Sequence, residues 1–140
     1  MREIKFRAWA DGKMHYQGKD QWWMFSDSGF WALGSLDPEG CNVCDNLESK
    51  NPVLMQYTGL KDIEGTDIYE DDIVFVDSFY RGDSLEKHRN GIVAWNDGGY
   101  AVFLLGSDDY HCELDTSVIY NYRIRVIGNQ FKNHGLLEPK

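Results

Sequence analysis

The chain has 140 residues and a mass of 16.2 kDa, which suits one domain with its own hydrophobic core and is small for two. Its 23 acidic residues outnumber its 14 basic residues, and the net charge of -9 disfavours non-specific binding to nucleic acid. Three cysteines, an odd number, fit a reducing compartment better than a set of disulfides, and no apolar stretch approaches the roughly 20 residues of a membrane span. We therefore expect a cytoplasmic protein.

The first predicted elements are two β-hairpins. Apolar residues alternate with charged ones over residues 4–9, which predicts a strand with Ile4, Phe6 and Ala8 on its buried face and a return strand after the Asp-Gly turn. Further along, two aromatic runs flank a polar turn and predict a second hairpin. Because both runs are apolar at consecutive positions, both faces must be covered, either by the other half of the chain or by another subunit, and we predict a homo-oligomer. The predicted interface residues are Trp22, Trp23, Phe25, Phe30 and Trp31.

The next segment, residues 37–51, is the least regular part of the chain. Turn residues dominate at both of its ends. It has room for one short helix, which would end before Pro52 because proline disfavours helix for the preceding residue.

The centre of the chain predicts two strands joined by an ordered connection. Residues 54–57 are extended in character, residues 58–65 contain several turn formers, and residues 73–76 are apolar.

A strand meander is predicted to follow. Residues 77–90 are polar and predict a long loop, residues 91–95 predict a strand, and residues 100–105 predict its partner. The Asn-Asp-Gly-Gly turn at residues 96–99 favours a tight hairpin, because these residues tolerate positive φ. This order of elements resembles a small SH3-like barrel.

Three elements complete the chain: a strand at residues 110–114, a strand or one helical turn at residues 116–121, and a final strand at residues 124–128. No shift in composition marks a linker. We predict a mainly β, single-domain protein with an N-terminal β-hairpin lobe at residues 1–52 and an SH3-like barrel part at residues 53–140.

The central stretch also carries a family resemblance. It looks like the central signature of the YopX family of phage and prophage proteins, and the start and near-terminal segments of the chain resemble the two ends of that family. The signature residues are Gln56, Tyr57, Thr58, Gly59, Leu60, Lys61, Asp62, Tyr69, Glu70, Asp72, Ile73, Val74, Gly128 and Asn129. Asp71 departs from the family pattern, which has glycine there, and we expect the turn to survive with slight strain. The resemblance covers the whole chain, implies a phage or prophage accessory protein in a bacterial cell, and supplies no catalytic residue.

Two patterns raise the alternative of a metal-dependent enzyme. Cys41-x-x-Cys44 is half of a zinc site that His111 or Cys112 would have to complete, and His111-x-Glu113 matches part of a zinc deaminase signature. Neither pattern is complete, because a second cysteine pair is missing and the deaminase order is reversed. Adjacent His111 and Cys112 would also point to opposite faces of a strand. We therefore expect buried or free thiols, no metal and no cofactor.

The acidic residues between positions 62 and 77 do not match the spacing of a calcium-binding loop. We expect them to form a solvated acidic face.

Aromatic residues beside arginine leave single-stranded nucleic-acid binding as a second alternative. Such pairs occur at residues 79–81 and 120–123. The net charge argues against this function, and packing in a core or a subunit interface accounts for most aromatic residues. The function that we predict is non-enzymatic and acts through homo-oligomerisation or through binding to another protein.

Overall fold

The computed structural model describes residues 3–10, 12–18, 21–25, 31–36, 42–45, 52–81, 84–106 and 111–137. The chain divides into two compact units, Ile4–Gln56 and Tyr57–Lys140, the latter with the first three residues. Strands make up most of the described residues, which confirms the predicted mainly β class. Helix in the described ranges is confined to one short α-helix and one 3-10 turn. Neither of these two helices has the length or the apolar character that a membrane span requires.

The unit Ile4–Gln56 consists of antiparallel strands. They are β1 (Phe6–Ala10), β2 (Lys13–Tyr16), β3 (Gln21–Phe25), β4 (Trp31–Leu36), β5 (Asn42–Asp45) and the start of β6 (Val53–Lys61). β1 pairs with β2 on one side and with β6 on the other, and β3, β4 and β5 pair in chain order. Both predicted hairpins are confirmed in the backbone. Where the sequence left room for a short helix, the described residues form β5 instead.

The burial pattern of β1 only partly matches the predicted alternation. Ala8 and Ala10 are buried and pack with Trp23, but Ile4 is 67% exposed. Arg7, on the face predicted to be solvated, is only 3% exposed, and its Nε donates to the Sδ of Met55 at 3.4 Å. Because an arginine has an apolar stem and a head that can donate several hydrogen bonds, its charge alone did not indicate which face is buried.

The larger unit contains a five-stranded antiparallel sheet. The second half of β6 pairs with β7 (Asp67–Tyr69). The sheet and its connections then follow as β8 (Asp72–Arg81), β9 (Ser84–Asn96), β10 (Gly99–Leu104), β11 (His111–Glu113), α1 (Thr116–Asn121), β12 (Arg125–Asn129) and a 3-10 helix at His134–Leu137. The strand order is β11-β10-β9-β8-β12, so the last strand returns beside β8. The sheet is curled into a half-barrel.

The hydrophobic core of the larger unit lies on one face of this sheet. β-branched and aromatic residues at alternate strand positions supply most of it, together with one residue of α1. Its buried members are Ile68, Val74, Val76, Val93, Tyr100, Val102, Leu104, Leu114, Ile119 and Ile124. At about 1.5–3 kcal/mol for each fully buried aliphatic side chain, this cluster is the main stabilising feature of the unit.

Two turns in this unit contain non-glycine residues with positive φ. Asp97 has a φ of 46° and Gly98 a φ of 87°, the pair of positive values that a tight hairpin turn requires, so the hairpin predicted at residues 96–99 is confirmed. Asp71 has a φ of 66°. Its amide donates to the carbonyl of Val93 at 2.8 Å, and its carbonyl accepts from the amide of Gln130 at 3.1 Å. The strained turn expected at Asp71 is therefore present.

The long loop predicted at residues 77–90 is wrong. β8 continues to Arg81 and β9 begins at Ser84, and the two strands keep one register along the whole hairpin. Two strands are paired by hydrogen bonds between their backbones. A two-stranded ribbon that is exposed to water can therefore have polar side chains. The alternative left open at residues 116–121 resolves as α1, whose N-cap Asp115 accepts a hydrogen bond from the Val118 amide at 2.8 Å.

Candidate functional site

The signature residue Asp62 connects the β6–β7 turn to β12. Its side chain is buried, with the residue 6% exposed. Its Oδ1 accepts from the amides of Glu64 and Thr66, both at 2.9 Å, and its Oδ2 accepts from the amide of Val126 at 2.8 Å. One carboxylate thus shapes the turn at residues 62–66 and fastens it to the last strand.

Two further signature residues hold β7 in place. Thr58 donates from Oγ1 to the carbonyl of Ile68 at 2.7 Å and accepts from the amide of Leu60 at 3.2 Å, where the β6–β7 register shifts. Asp72 is 2% exposed, and its Oδ2 accepts from the amide of Tyr69 at 2.8 Å. These contacts satisfy backbone groups that the irregular pairing would otherwise leave without partners.

The near-terminal signature pair, Gly128 and Asn129, fixes the turn after β12. The Oδ1 of Asn129 accepts from the amides of Phe131 and Lys132 at 3.1 and 2.9 Å. The amide of Asn129 donates to Oδ1 of Asn133 at 3.2 Å. A Cβ on Gly128 would lie 2.5 Å from that same oxygen, so the approach of the Asn133 side chain requires glycine.

These hydrogen bonds correct one prediction and explain the signature. The solvated acidic face expected between positions 62 and 77 is wrong for Asp62 and Asp72, which are buried, whereas Glu64 is exposed. Buried carboxylates are tolerated here because backbone amides donate to them. These signature residues therefore act in the fold, at the turn of residues 62–66, at β7 and at the turn after β12.

A cleft with a volume of about 280 Å³ lies beside that turn. We call it the arginine cleft, and its lining residues are Ile63, Glu64, Phe75, Asp77, Arg123 and Arg125. The turn supplies the first two, β8 supplies the middle two, and the junction of α1 with β12 supplies the arginines. The amide of Ile63 donates to the carbonyl of Ile124 at 3.1 Å, and the amide of Asp77 donates to the carbonyl of Tyr122 at 3.1 Å. The signature turn thereby forms one wall of the cleft.

The ring of Phe75 lies between the side chains of Arg125 and His88. The guanidinium carbon of Arg125, on the neighbouring strand β12, is 4.8 Å from the centroid of the Phe75 ring. The ring of His88, on the other neighbouring strand β9, stacks at a centroid distance of 5.9 Å. An arginine over an aromatic face at an exposed site contributes about 0.5–1 kcal/mol, so this contact orients Arg125 without using its hydrogen-bond donors.

Asp77 lies between two residues that have unusual backbone conformations, Arg123 of the cleft and His88 on the neighbouring strand β9. The Nδ1 of His88 is 3.5 Å from Oδ1 of Asp77, and the Nε of Arg123 is 3.8 Å from Oδ2. His88 has a φ of 53° and Arg123 a φ of 52°. The left-handed conformation costs a non-glycine residue about 1–2 kcal/mol, and strain of this kind concentrates at binding sites.

The arginine cleft places two arginines on the surface of an acidic protein. Arg123 and Arg125 line it together with the carboxylates of Glu64 and Asp77, in a chain whose net charge is -9, and His88 contacts Asp77 from the neighbouring strand. Guanidinium groups are planar and carry several donors in a fixed geometry, which matches carboxylate and phosphate groups. The arrangement is thus chemically suited to an anionic group next to an apolar or aromatic one.

The predicted zinc ligands do not form a site in the described residues. Burial, together with the negative charge of Asp115, raises the pKa of the Cys112 thiol from 9.0 to about 11. Cys112 packs against the core, while the ring of the exposed His111 stacks on Phe103 at a centroid distance of 5.1 Å. The two neighbours therefore have different surroundings, as predicted. A thiol whose pKa is raised is a weak nucleophile and a weak metal ligand at neutral pH.

The side chains of Cys41 and Cys44 lie outside the described residues. Within the described ranges, no three His, Cys, Asp or Glu side chains lie close enough together to hold a metal ion.

Among the five predicted interface residues, the structure describes the side chain of Trp23. Trp23 is partly buried and packs against Ala8 and Ala10. The side chains of the other four, Trp22, Phe25, Phe30 and Trp31, lie outside the described residues. Their role in an interface stays a prediction.

Of the aromatic residues singled out for stacking on bases, Tyr120 is 67% exposed and Tyr122 packs against the core. The side chains of residues 79–81 lie outside the described residues. Among the described side chains of this group, Arg123 lines the cleft.

The sequence did not point to Phe75, His88 or Arg125. They belong to three different strands, and Phe75 is brought opposite Arg125 only by the β8–β12 register. Positions 75 and 77 lie two residues apart on β8, and positions 123 and 125 lie two residues apart near β12. Residues at this spacing share one face of a strand, but the sequence shows that the two faces meet only once the register is known.

The fold and the cleft define a mainly β protein whose larger unit carries an arginine-lined site. The chain belongs to the YopX family, since the family model described as YopX protein matches residues 5–138. This result confirms the resemblance in the signature. Two solved structures are similar to the chain. A protein from Enterococcus faecalis is 27% identical with a TM-score of 0.61, and the match covers 99% of this chain and 100% of that one. The YopX protein from Bacillus subtilis is 27% identical with a TM-score of 0.62, again covering 99% and 100%. A comparison with curated proteins finds no match.

Proposed function

We propose that this YopX-family protein is a non-enzymatic accessory protein of a phage or prophage, which acts in the bacterial cytoplasm by binding protein, either further copies of itself or a separate partner. The observation that carries the proposal is the arginine cleft, where two arginines and an aromatic ring converge next to the family signature. Arginine and aromatic residues are enriched where proteins bind one another.

The roles of the polar groups support a non-enzymatic function. The carboxylates of Asp62 and Asp72 accept hydrogen bonds from backbone amides and so act in the fold. The Cys112 thiol, with its pKa raised to about 11, is a poor nucleophile. These three side chains are thus occupied in structural roles or deactivated.

We also propose how the chain is organised into parts. A single YopX-like domain would contain an N-terminal hairpin lobe at residues 1–52 and an SH3-like barrel part at residues 53–140. The strand order β11-β10-β9-β8-β12 supports the barrel, because the fifth strand of the meander returns beside its first after one short helix. Barrels of this type commonly serve as binding modules, although the fold alone does not determine the function.

Self-association is tested by light scattering. We expect the wild-type chain to run above the 16.2 kDa of a monomer at micromolar concentration. Phe30→Asp should reduce the mass to that of a monomer, whereas Trp23→Asp should impair folding because Trp23 packs on buried alanines. Tyr120→Asp, at a residue that is 67% exposed in the other unit, is the matched control and should leave the mass unchanged. A monomeric wild type would exclude the self-association branch of the proposal and leave binding to a separate partner.

Single-stranded nucleic-acid binding is the second candidate function. It is favoured by the exposed Tyr120, which lies three residues before Arg123 of the cleft. Fluorescence anisotropy with a labelled oligothymidine across a range of salt concentrations tests it. Affinity that falls steeply with salt would favour this function, and no binding at low salt would exclude it.

A further inference from the structure

We infer that the arginine cleft is the docking site for an acidic segment of a partner protein, in which a carboxylate binds Arg123 and Arg125 and a neighbouring apolar or aromatic side chain lies against Phe75. This inference rests on the proposed protein-binding function and names the chemistry of the partner.

The first step of the argument is that the arginines of the cleft keep donors for a ligand. Charge-assisted N–H···O bonds have lengths of about 2.7–2.9 Å. The Arg123–Asp77 separation is 3.8 Å and the His88–Asp77 separation is 3.5 Å, so both pairs are looser than that. Within the described residues, Arg125 contacts the Phe75 ring and has no carboxylate partner. A second carboxylate can therefore bind here without first breaking a tight ion pair.

The second step concerns the apolar part of the ligand. Phe75 is partly exposed, with Arg125 and His88 on its two sides. An aromatic ring flanked by a guanidinium and an imidazole can accept an apolar or aromatic side chain that stays beside the charged groups. A partner residue with a ring, adjacent in sequence to Asp or Glu, would meet both features at once.

The third step is that the cleft is held in shape before any ligand binds. His88 and Arg123 keep φ values of 53° and 52°, and the β8–β9 ladder omits the Asp77 and His88 pair between two regular stretches. The amide of Asp77 instead donates to the carbonyl of Tyr122, which fixes the position of the next residue, Arg123. A site whose backbone is already fixed loses less entropy when it binds.

The size and charge of the cleft favour an acidic peptide over a nucleic acid. Ligand sites for whole drug-sized molecules span about 300–1,000 Å³. A volume of about 280 Å³ is suited to one or two side chains. A nucleic acid would bring a row of phosphates close to Glu64 and Asp77, on a protein of net charge -9 that repels them. A peptide needs to bring only one or two carboxylates to the arginines.

The experiment selects ligands from a random heptapeptide library displayed on phage, against the wild-type protein and against the Arg123→Gln, Arg125→Gln double variant. The matched control is Lys132→Gln, at an exposed lysine outside the cleft. We expect the wild type and the control to enrich peptides with Asp or Glu next to an aromatic residue, and the double variant to enrich none of these. Circular dichroism confirms that all three proteins are folded.

The selected peptide is then labelled and measured by fluorescence anisotropy. We expect the double variant, and a peptide in which Asp and Glu are replaced by Asn and Gln, each to weaken binding by at least about tenfold. Phe75→Leu should weaken it less, because an apolar surface remains. The Arg123→Lys, Arg125→Lys variant keeps the charge and loses the planar donors, and we expect an intermediate affinity.

Three results would overturn the inference: no peptide enriched above background, enriched peptides without acidic residues, or affinity that is unchanged in the double variant. If peptides bind independently of the cleft, protein binding as the general function still stands and only its location is wrong. If an oligothymidine binds more tightly than every selected peptide and depends on the same arginines, the cleft is a nucleic-acid site.

Discussion

Asp62→Asn tests whether one buried carboxylate holds the signature turn to β12. The substitution preserves the size of the side chain but replaces one oxygen by an amide nitrogen. Oδ1 can still accept from Glu64 and Thr66, while the new nitrogen would face the amide of Val126, donor against donor, at a site where the oxygen now accepts at 2.8 Å. A hydrogen bond to a charged group contributes about 1.5–3 kcal/mol, and an unsatisfied amide adds a further cost, so we expect a loss of about 2–4 kcal/mol in the free energy of unfolding.

Urea unfolding followed by circular dichroism measures this loss. The matched control is Asp97→Asn, since Asp97 is exposed and asparagine tolerates its φ of 46°. We expect the control to change stability by less than about 0.5 kcal/mol. Hydrogen exchange of the Val126 amide should become faster in Asp62→Asn, because its acceptor is lost. A stability loss below about 1 kcal/mol with unchanged exchange at Val126 would refute the reasoning.

Three further predictions concern other positions of the larger unit. Gly91→Ala should lower the free energy of unfolding in urea by about 1–3 kcal/mol, because the added Cβ would lie 2.4 Å from Cγ1 of Val102. In the control Gly99→Ala the added Cβ meets nothing within 4 Å, so stability should be nearly unchanged. Equal effects of the two substitutions would contradict the packing argument. Asp71→Gly should be neutral or stabilising by up to about 1 kcal/mol, since glycine relieves the strain of a φ of 66°, and a loss of more than about 1 kcal/mol would assign its carboxylate a structural role. With the other two cysteines replaced by serine, Cys112 should react with iodoacetamide at pH 8 at least about 100-fold more slowly than in urea, because a rise of its pKa from 9.0 to about 11 lowers the thiolate fraction by that factor. The rate should increase as the pH approaches 11, and rapid labelling at pH 8 would contradict the burial of the thiol.

The parts of the fold that local sequence determines could be predicted. The Asn96–Gly99 hairpin follows from residues that tolerate positive φ, and Asp71 was identified because it stands where the family has glycine. The extension of β8 and β9 through residues 77–90 could not be predicted in this way, because polar side chains indicate exposure to water and say little about backbone pairing.

The candidate site depended on information that a single sequence lacks. Phe75, His88 and Arg125 come together through the register of three strands and through a backbone conformation at His88 that is uncommon for residues other than glycine. Asp62 was expected in solvent because a lone carboxylate usually is, and only the three amides around it make its burial favourable.

The contact between the signature turn and β12 has a consequence for solubility. β12 is the last strand of its sheet, and the outer edge of such a strand can recruit a strand from another chain. At this edge the amide of Val126 already donates to Asp62, and the carbonyl of Ile124 already accepts from Ile63. The turn at residues 62–66 thus occupies two backbone groups that an incoming strand would need, and we expect the family signature to hinder strand addition at this part of the edge.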